Sequence, residues 1–136
     1  MIGTIAASAL RSFVETSKVD HLVFKMDIYK VFLGLSDKTE ADFSSHTHCR
    51  LGKWYYEGDG HSCFSNLPGY REIEPPHVDV HQQGVLAVKH YRAGRIEQSL
   101  EALGRMEQAS VQVLRNLETM ATTGENTPSA LCVSKF

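Results

Sequence analysis

The fold is decided by one stretch of the chain, LRSFVETSKVDHLVFKMDIYKVFLGL, which covers residues 10–35. Mostly apolar residues recur in it at alternating steps of four and three. They are Leu10, Val14, Ser17, His21, Phe24, Ile28, Val31 and Leu35. This spacing lines them up on one side of an α-helix and is typical of a helix packed in a bundle. The sequence therefore predicts one long helix over residues 4–35, broken off by Gly34 and the polar turn behind it.

Three more helices are predicted downstream. The second follows an acidic cap at Asp42 and covers 43–56, the third follows Pro75 and Pro76 and covers 77–91, and the fourth covers 95–121. No window shows the sustained alternation of a strand. We therefore expect an all-α, antiparallel four-helix bundle over residues 1–121, with a flexible tail over 122–136. A long loop, with a short helical turn near Phe64, is expected between the second and third helices.

Composition limits the function. The formal net charge is −2 and 22% of residues are charged, so the chain lacks the basic patch of a nucleic-acid-binding protein. No run approaches the roughly 20 apolar residues of a membrane helix, and no secretory signal is recognisable. We expect a cytoplasmic protein without membrane insertion in this segment. The chain has three cysteines, which disfavours a disulfide framework and favours metal binding or thiol reactivity.

Four residues form a candidate zinc site. His77 and His81 are four apart, so both imidazoles project from one helix face. His21 occupies a core position where leucine would be expected, and a buried imidazole needs hydrogen bonds or a metal. Cys49 adds a thiolate, which together with imidazole is the ligand type that Zn²⁺ prefers. His46, three residues before Cys49, remains an alternative ligand.

Catalysis is not expected. In the HVDVH stretch, Val78 stands where zinc proteases of the H-E-x-x-H type carry their catalytic glutamate. Four protein ligands also leave no position for a catalytic water. A di-iron bundle would need Glu-x-x-His pairs on facing helices, which the core stripes lack. The spacing alone leaves a sensor and a static, structural zinc site as open alternatives.

Several motifs together give the chain a family resemblance. With His21 upstream, the strings HCRLGKWYYEGDG at 48–60 and PPHVDVH at 75–81 resemble the chemoreceptor zinc-binding domain family of bacteria. This resemblance implies zinc ligands at His21, Cys49, His77 and His81. Gly52, Trp54 and Tyr55 would be the accompanying signature, with Gly52 allowing close approach and the two aromatic residues packing in the core.

The resemblance also implies a signalling role. Members of the family lie at the end of cytosolic chemoreceptors, or beside diguanylate cyclases and other signalling modules. They respond to zinc and to oxidants such as hypochlorous acid. We therefore expect a C-terminal chemoreceptor domain in which Cys49 is the redox-reactive ligand. Expected partners are a second copy, with the start of the first helix, IGTIAASAL, as interface, and through the receptor the chemotaxis kinase and its adaptor. A static zinc bundle regulating a diguanylate cyclase is the alternative.

Overall fold

The computed structural model describes residues 2–128 and Leu131, and every regular element in that part of the chain is helical. The helices are α1 (Ile2–Phe32), α2 (Arg50–Tyr56), α3 (Tyr70–Arg92) and α4 (Ile96–Asn126). A 3-10 turn at Glu40–Asp42 precedes α2, and a π-helical turn at Gly60–Phe64 follows it. The predicted all-α bundle and the helical turn near Phe64 are therefore confirmed. Each helix in the described residues is too short or too polar to span a membrane.

The core lies between the three long helices. α3 and α4 pack against each other along most of their length, and α1 lies across both. Most of the predicted stripe of α1 faces inward, with Leu10, Val14, Ile28 and Val31 almost completely buried. Leu35, which was predicted to belong to it, lies beyond the end of α1 and is 72% exposed. Val80, Met106, Val113 and Leu117 meet the buried residues of α1 from α3 and α4. Burial of these apolar surfaces, at about 25 cal/mol per Å², is the main term that holds the helices together.

Gly34 and Gly94 follow the C-terminal ends of α1 and α3, as the sequence predicts. Gly34 has a φ of +73° and Gly94 a φ of +78°, a left-handed conformation that other residues rarely adopt. Beyond each glycine, a backbone N–H turns back to a carbonyl of the last helical turn, from Leu35 to Lys30 and from Arg95 to His90. This is the usual glycine cap of a helix C-terminus. α1 ends at Phe32, three residues earlier than predicted.

The start of α2 differs from the prediction. Asp42 does not cap α2: it belongs to the 3-10 turn, where its carboxylate accepts a hydrogen bond from the backbone N–H of Thr39 at 2.9 Å. α2 begins only at Arg50, with Cys49 as its cap. Residues 44–48 are Ser, Ser, His, Thr and His, which are modest helix formers that readily bond their own backbone. They cross the bundle as an irregular segment.

The start of α3 also differs, because Pro75 and Pro76 lie inside the helix. Proline has no N–H, so Pro76 cannot bond the carbonyl of Glu72 one turn earlier. The side-chain amide of Asn116 on α4 donates to that carbonyl instead, at 3.1 Å. This contact between helices lets α3 begin at Tyr70. His77 and His81 therefore lie well inside a long helix and not in its first turn.

The C-terminal part of α4 is longer than predicted. The helix continues through residues 122–126, which had been assigned to the tail, and Gly124 is buried against Leu10 and Leu131. Residues 129, 130 and 132–136 of the predicted tail lie outside the described residues. The described part of the tail thus adds a turn of helix and one buried leucine to the bundle.

Candidate metal centre

Cys49 stands at the N-terminus of α2, at the edge of the bundle core. Its Sγ accepts a hydrogen bond from the backbone N–H of Gly52 at 3.4 Å and lies 3.5 Å from the carbonyl oxygen of His46. Burial raises the pKa of the thiol, and the backbone N–H groups of Gly52 and Leu51 offset part of that rise. A bound cation reverses this balance, because it stabilises the thiolate directly.

His77 and His81 face Cys49 from α3. Their ring centres are 5.0 Å apart, and Nε2 of His77 lies 3.3 Å from Sγ of Cys49. Nδ1 of His81 lies 2.8 Å from the carbonyl oxygen of Ser44. Since a carbonyl only accepts, Nδ1 carries the proton, and Nε2 of His81 keeps its lone pair for a ligand. A carbonyl partner of this kind commonly orients a metal-bound histidine.

The three side chains form a group that fits a zinc ion. One potential ligand atom from each of Cys49, His77 and His81 lies within 4.8 Å of the others. Ligand atoms of tetrahedral zinc, with bonds of 2.0–2.3 Å, lie about 3.3–3.8 Å apart. Only small side-chain movements separate the observed arrangement from that geometry. One sulfur and two imidazole nitrogens are also the donor types of structural zinc sites.

Electrostatics prepare the two histidines for a cation. Burial, reinforced by the neighbouring histidines, lowers the pKa of His77 to about 3. Burial also lowers the pKa of His81, although its bond to Ser44 opposes the shift. Both imidazoles are therefore neutral near pH 7. The group offers lone pairs, and no proton has to be displaced from these two rings when a metal binds.

His21, the fourth predicted ligand, lies on the wall of the same site. It lines a cavity of about 330 Å³ together with Cys49, His77 and His81. Its Nε2 is 2.6 Å from Oγ of Ser110 on α4, so this nitrogen is hydrogen-bonded to α4 and Nδ1 is the ring nitrogen outside that bond. Burial, and secondarily Lys25, lowers its pKa to about 4. The structure thus groups three predicted ligands closely and places His21 across their cavity.

The signature residues hold the segment that carries Cys49. A Cβ on Gly52 would overlap the carbonyl of His46, so its missing side chain allows residues 46–47 to cross α2. Close approach at Gly52 was predicted, but the neighbour is this crossing segment and not a helix or a ring. Trp54 stacks on Phe13 with ring centres 4.3 Å apart. Tyr55 is buried and stacks on Tyr70, which confirms the predicted packing roles.

The sequence did not indicate two hydrogen-bond partners of the site histidines, or the disulfide bond of Cys63. Ser110 on α4 and the carbonyl of Ser44 bond His21 and His81, respectively. Ser110 is 1% exposed within an apolar helix face, and a buried hydroxyl there is the signal that could have identified it. Cys63 is disulfide-bonded, contrary to the expectation of no disulfide, so Cys49 is the free thiol among the described residues.

Fold and site together define a helical bundle with a cysteine and histidine metal centre. A sequence profile for the chemoreceptor zinc-binding domain matches residues 21–88, which is half of the chain. The matched range includes His21, Cys49, His77 and His81. The chain belongs to the chemoreceptor zinc-binding domain family, and its Cys/His/His group fits the zinc that this family binds. No curated protein and no solved structure shows significant similarity to the chain.

Proposed function

We propose that this chain is a zinc-dependent sensory domain of a bacterial chemoreceptor and that Cys49 is its redox-reactive group. The convergence of Cys49, His77 and His81 on one point is the observation that carries the proposal. His21 completes the ligand set from across the cavity, as the family pattern implies. Zinc, when bound, holds Cys49 as a thiolate, and the two α3 histidines and α1 are thereby tied to the start of α2.

The proposed signal is oxidation of the Cys49 sulfur. The thiolate sulfur gains oxygen from hypochlorous acid and becomes a sulfenic acid, while hypochlorous acid is reduced to chloride. The thiolate and neutral hypochlorous acid yield the neutral sulfenic acid and one chloride ion, so atoms and charge are conserved. A sulfenic acid is a poorer ligand than a thiolate. Oxidation also changes the sulfur that caps α2 by accepting a hydrogen bond from the backbone N–H of Gly52. α2 has only seven residues, so it is the element most easily displaced by that change.

An ion pair between α2 and α1 would transmit a displacement of α2 to α1. Arg50, the first residue of α2, forms an ion pair with Asp20 on α1 at 3.2 Å. Asp20 is the residue immediately before His21, so metal site and ion pair act on the same turn of α1. We propose that α1 carries the change to the rest of a receptor, and so to the chemotaxis kinase and adaptor, in the cytoplasm. A static zinc bundle that regulates a diguanylate cyclase is the competing function, and the chain has no proposed catalytic activity.

The proposed second copy has a surface on α1. Within the predicted interface segment IGTIAASAL, Ala6, Ala7 and Leu10 are buried inside the chain, while Ile5 is about half exposed. Four apolar residues further along α1 are about half exposed and share one face, at spacings of three and four. They are Val19, Leu22, Val23 and Met26. A contiguous apolar stripe of this kind is typical of a protein interface, and we assign the homodimer to it.

Zinc content tests the metal site. The natural protein should purify with about one zinc per chain, and His21→Ala should lose most of it. His61→Ala, at an exposed loop position, is the matched control and should keep its zinc. Zinc-free natural protein, or full retention in His21→Ala, would contradict the proposed ligand set.

Oxidant titration tests the sensor. Hypochlorous acid at substoichiometric doses should give sulfenic acid at Cys49, trapped with dimedone and located by mass spectrometry. Helix content should fall in the natural protein and stay constant in Cys49→Ser. Absence of sulfenic acid at Cys49, or identical spectra for both proteins, would favour the static zinc bundle.

A further inference from the structure

His46 lies at the border between the metal site and solvent. It lines an open groove of about 520 Å³ that it shares with His81, while its other neighbour, His77, is buried in the site. Its side chain is half-buried, and its ring packs edge-on against Tyr56 with ring centres 5.9 Å apart. His46 is therefore a close neighbour of the three grouped ligands without being one of them.

The spacing of the rings is close to that of two ligands on one metal. Two imidazoles bound to a tetrahedral zinc through bonds of about 2.0–2.1 Å have ring centres about 5 Å apart. The pair His77 and His81 has a separation of 5.0 Å. The pair His46 and His77 has a separation of 5.8 Å, with the ring planes nearly perpendicular at 88°. The two separations differ by under about 1 Å, and rotation about the His46 side-chain torsions can move its ring by that distance.

The backbone holds His46 beside the sulfur independently of its ring. Its carbonyl oxygen is 3.5 Å from Sγ of Cys49, and its carbonyl group rests directly on Gly52. This contact between the His46 carbonyl and Gly52 does not involve the Cys49 sulfur. His46 therefore remains within reach of the site at the moment the thiolate is lost.

We propose that His46 is a replacement ligand: it stays outside the metal site while Cys49 is a thiolate and takes its place when that thiolate is lost. This inference rests on the proposed function and states what oxidation does to the metal. The site then exchanges a sulfur ligand for a nitrogen ligand and retains zinc with weaker affinity. Because residues 46–49 lead directly into α2, the exchange of ligands displaces the first turn of α2.

The experiment removes the thiolate without using an oxidant. Cys49→Ser keeps an oxygen cap for α2 and deletes the sulfur ligand. Zinc affinity is measured by competition with a chromogenic chelator for the natural protein, His46→Ala, Cys49→Ser, and the double variants Cys49→Ser/His46→Ala and Cys49→Ser/His48→Ala. His48 is the matched control, because it is an exposed histidine in the same segment whose ring, within the described part of the chain, bonds its neighbours Ser45 and Thr47. Far-UV circular dichroism verifies that each variant folds.

The replacement role predicts a specific pattern. His46→Ala alone should change zinc affinity by less than about twofold, whereas adding it to Cys49→Ser should weaken binding at least about tenfold further. Adding His48→Ala should have no such effect. Nitrogen NMR of the imidazole rings should show a metal-bound nitrogen on His46 in the zinc-loaded Cys49→Ser variant. This measurement reports on ligation even if a double variant is unstable.

Two results would overturn the replacement role. Equal affinities of the two double variants would show that His46 does not ligate, and a loss in His46→Ala as large as that in His21→Ala would make it a permanent ligand. A cobalt(II) titration of the natural protein separates this failure from failure of the proposed function. A sulfur-to-cobalt charge-transfer band there establishes the Cys49 site whatever His46 does, and its absence contradicts the proposed function itself.

Discussion

Substitution of Gly52 by alanine should damage the metal site more than the fold. An added Cβ would be 2.9 Å from the carbonyl carbon of His46 and 3.0 Å from that of Thr47, and it would overlap the His46 oxygen. Non-bonded heavy atoms settle about 3.5–4.0 Å apart. The crossing segment and α2 must therefore separate by roughly 1 Å or more. Cys49 lies between the two, so its sulfur moves with them.

The size of the effect follows from that displacement. Overpacking of this kind costs about 1–3 kcal/mol, and metal sites tolerate shifts in ligand distance of only about 0.2 Å. If the cost falls on the metal-bound arrangement, zinc affinity drops roughly 5- to 150-fold. The atoms nearest to the added Cβ belong to residues 46 and 47 and not to a long helix, so far-UV circular dichroism should change little.

The assay compares two glycine-to-alanine variants by zinc competition and urea unfolding. Gly104 on α4 is exposed, and a Cβ there meets nothing within 4 Å. Gly104→Ala should keep the natural zinc affinity and gain about 0.5–1 kcal/mol of stability, because alanine is the better helix former. A Gly52→Ala protein with natural zinc affinity would refute the idea that this crossing positions Cys49.

Other perturbations test the bundle itself. The pKa of His77 is about 3 in the folded chain and 6.5 in the unfolded chain, so protonation favours unfolding as pH falls below 6.5. Protonation of His77 should cost metal-free protein in excess chelator about 1.6 kcal/mol between pH 6.5 and 5 in urea unfolding, and His21, with a pKa of about 4, adds to the loss. A His77→Gln variant with the same slope as the natural protein would contradict this. Gly60→Ala places a Cβ 2.5 Å from the nearest indole carbon of Trp54 and should lower the free energy of unfolding by about 1–3 kcal/mol. Unchanged urea curves would show that the indole has room to move. Arg11 contacts Glu118 through both guanidinium ends, at 2.8 and 3.0 Å, on a partly exposed surface. Arg11→Gln should cost about 1 kcal/mol or less at low salt and less still in 1 M salt, and a loss that does not depend on salt would mean that packing outweighs charge.

The features predictable from sequence are those with local causes. The seam of α1 follows from apolar spacing at the helical period, and the ends of α1 and α3 follow from glycines that can adopt a positive φ. The proximity of His77 and His81 follows from their four-residue separation on one helix. In each case the controlling residues are neighbours in the chain, so no knowledge of distant segments is required.

The remaining features depend on contacts between distant segments. α3 begins before Pro75 and Pro76 because Asn116, 40 residues or more away in the chain, donates to the carbonyl of Glu72. Local composition disfavours a helix at residues 44–48, but their position against α3 depends on the bond between the Ser44 carbonyl and His81. His21 is turned towards α4 by Ser110, which no spacing rule relates to it. Periodicity identifies which residues face the core, but only the packing of the helices sets how far apart their polar atoms lie.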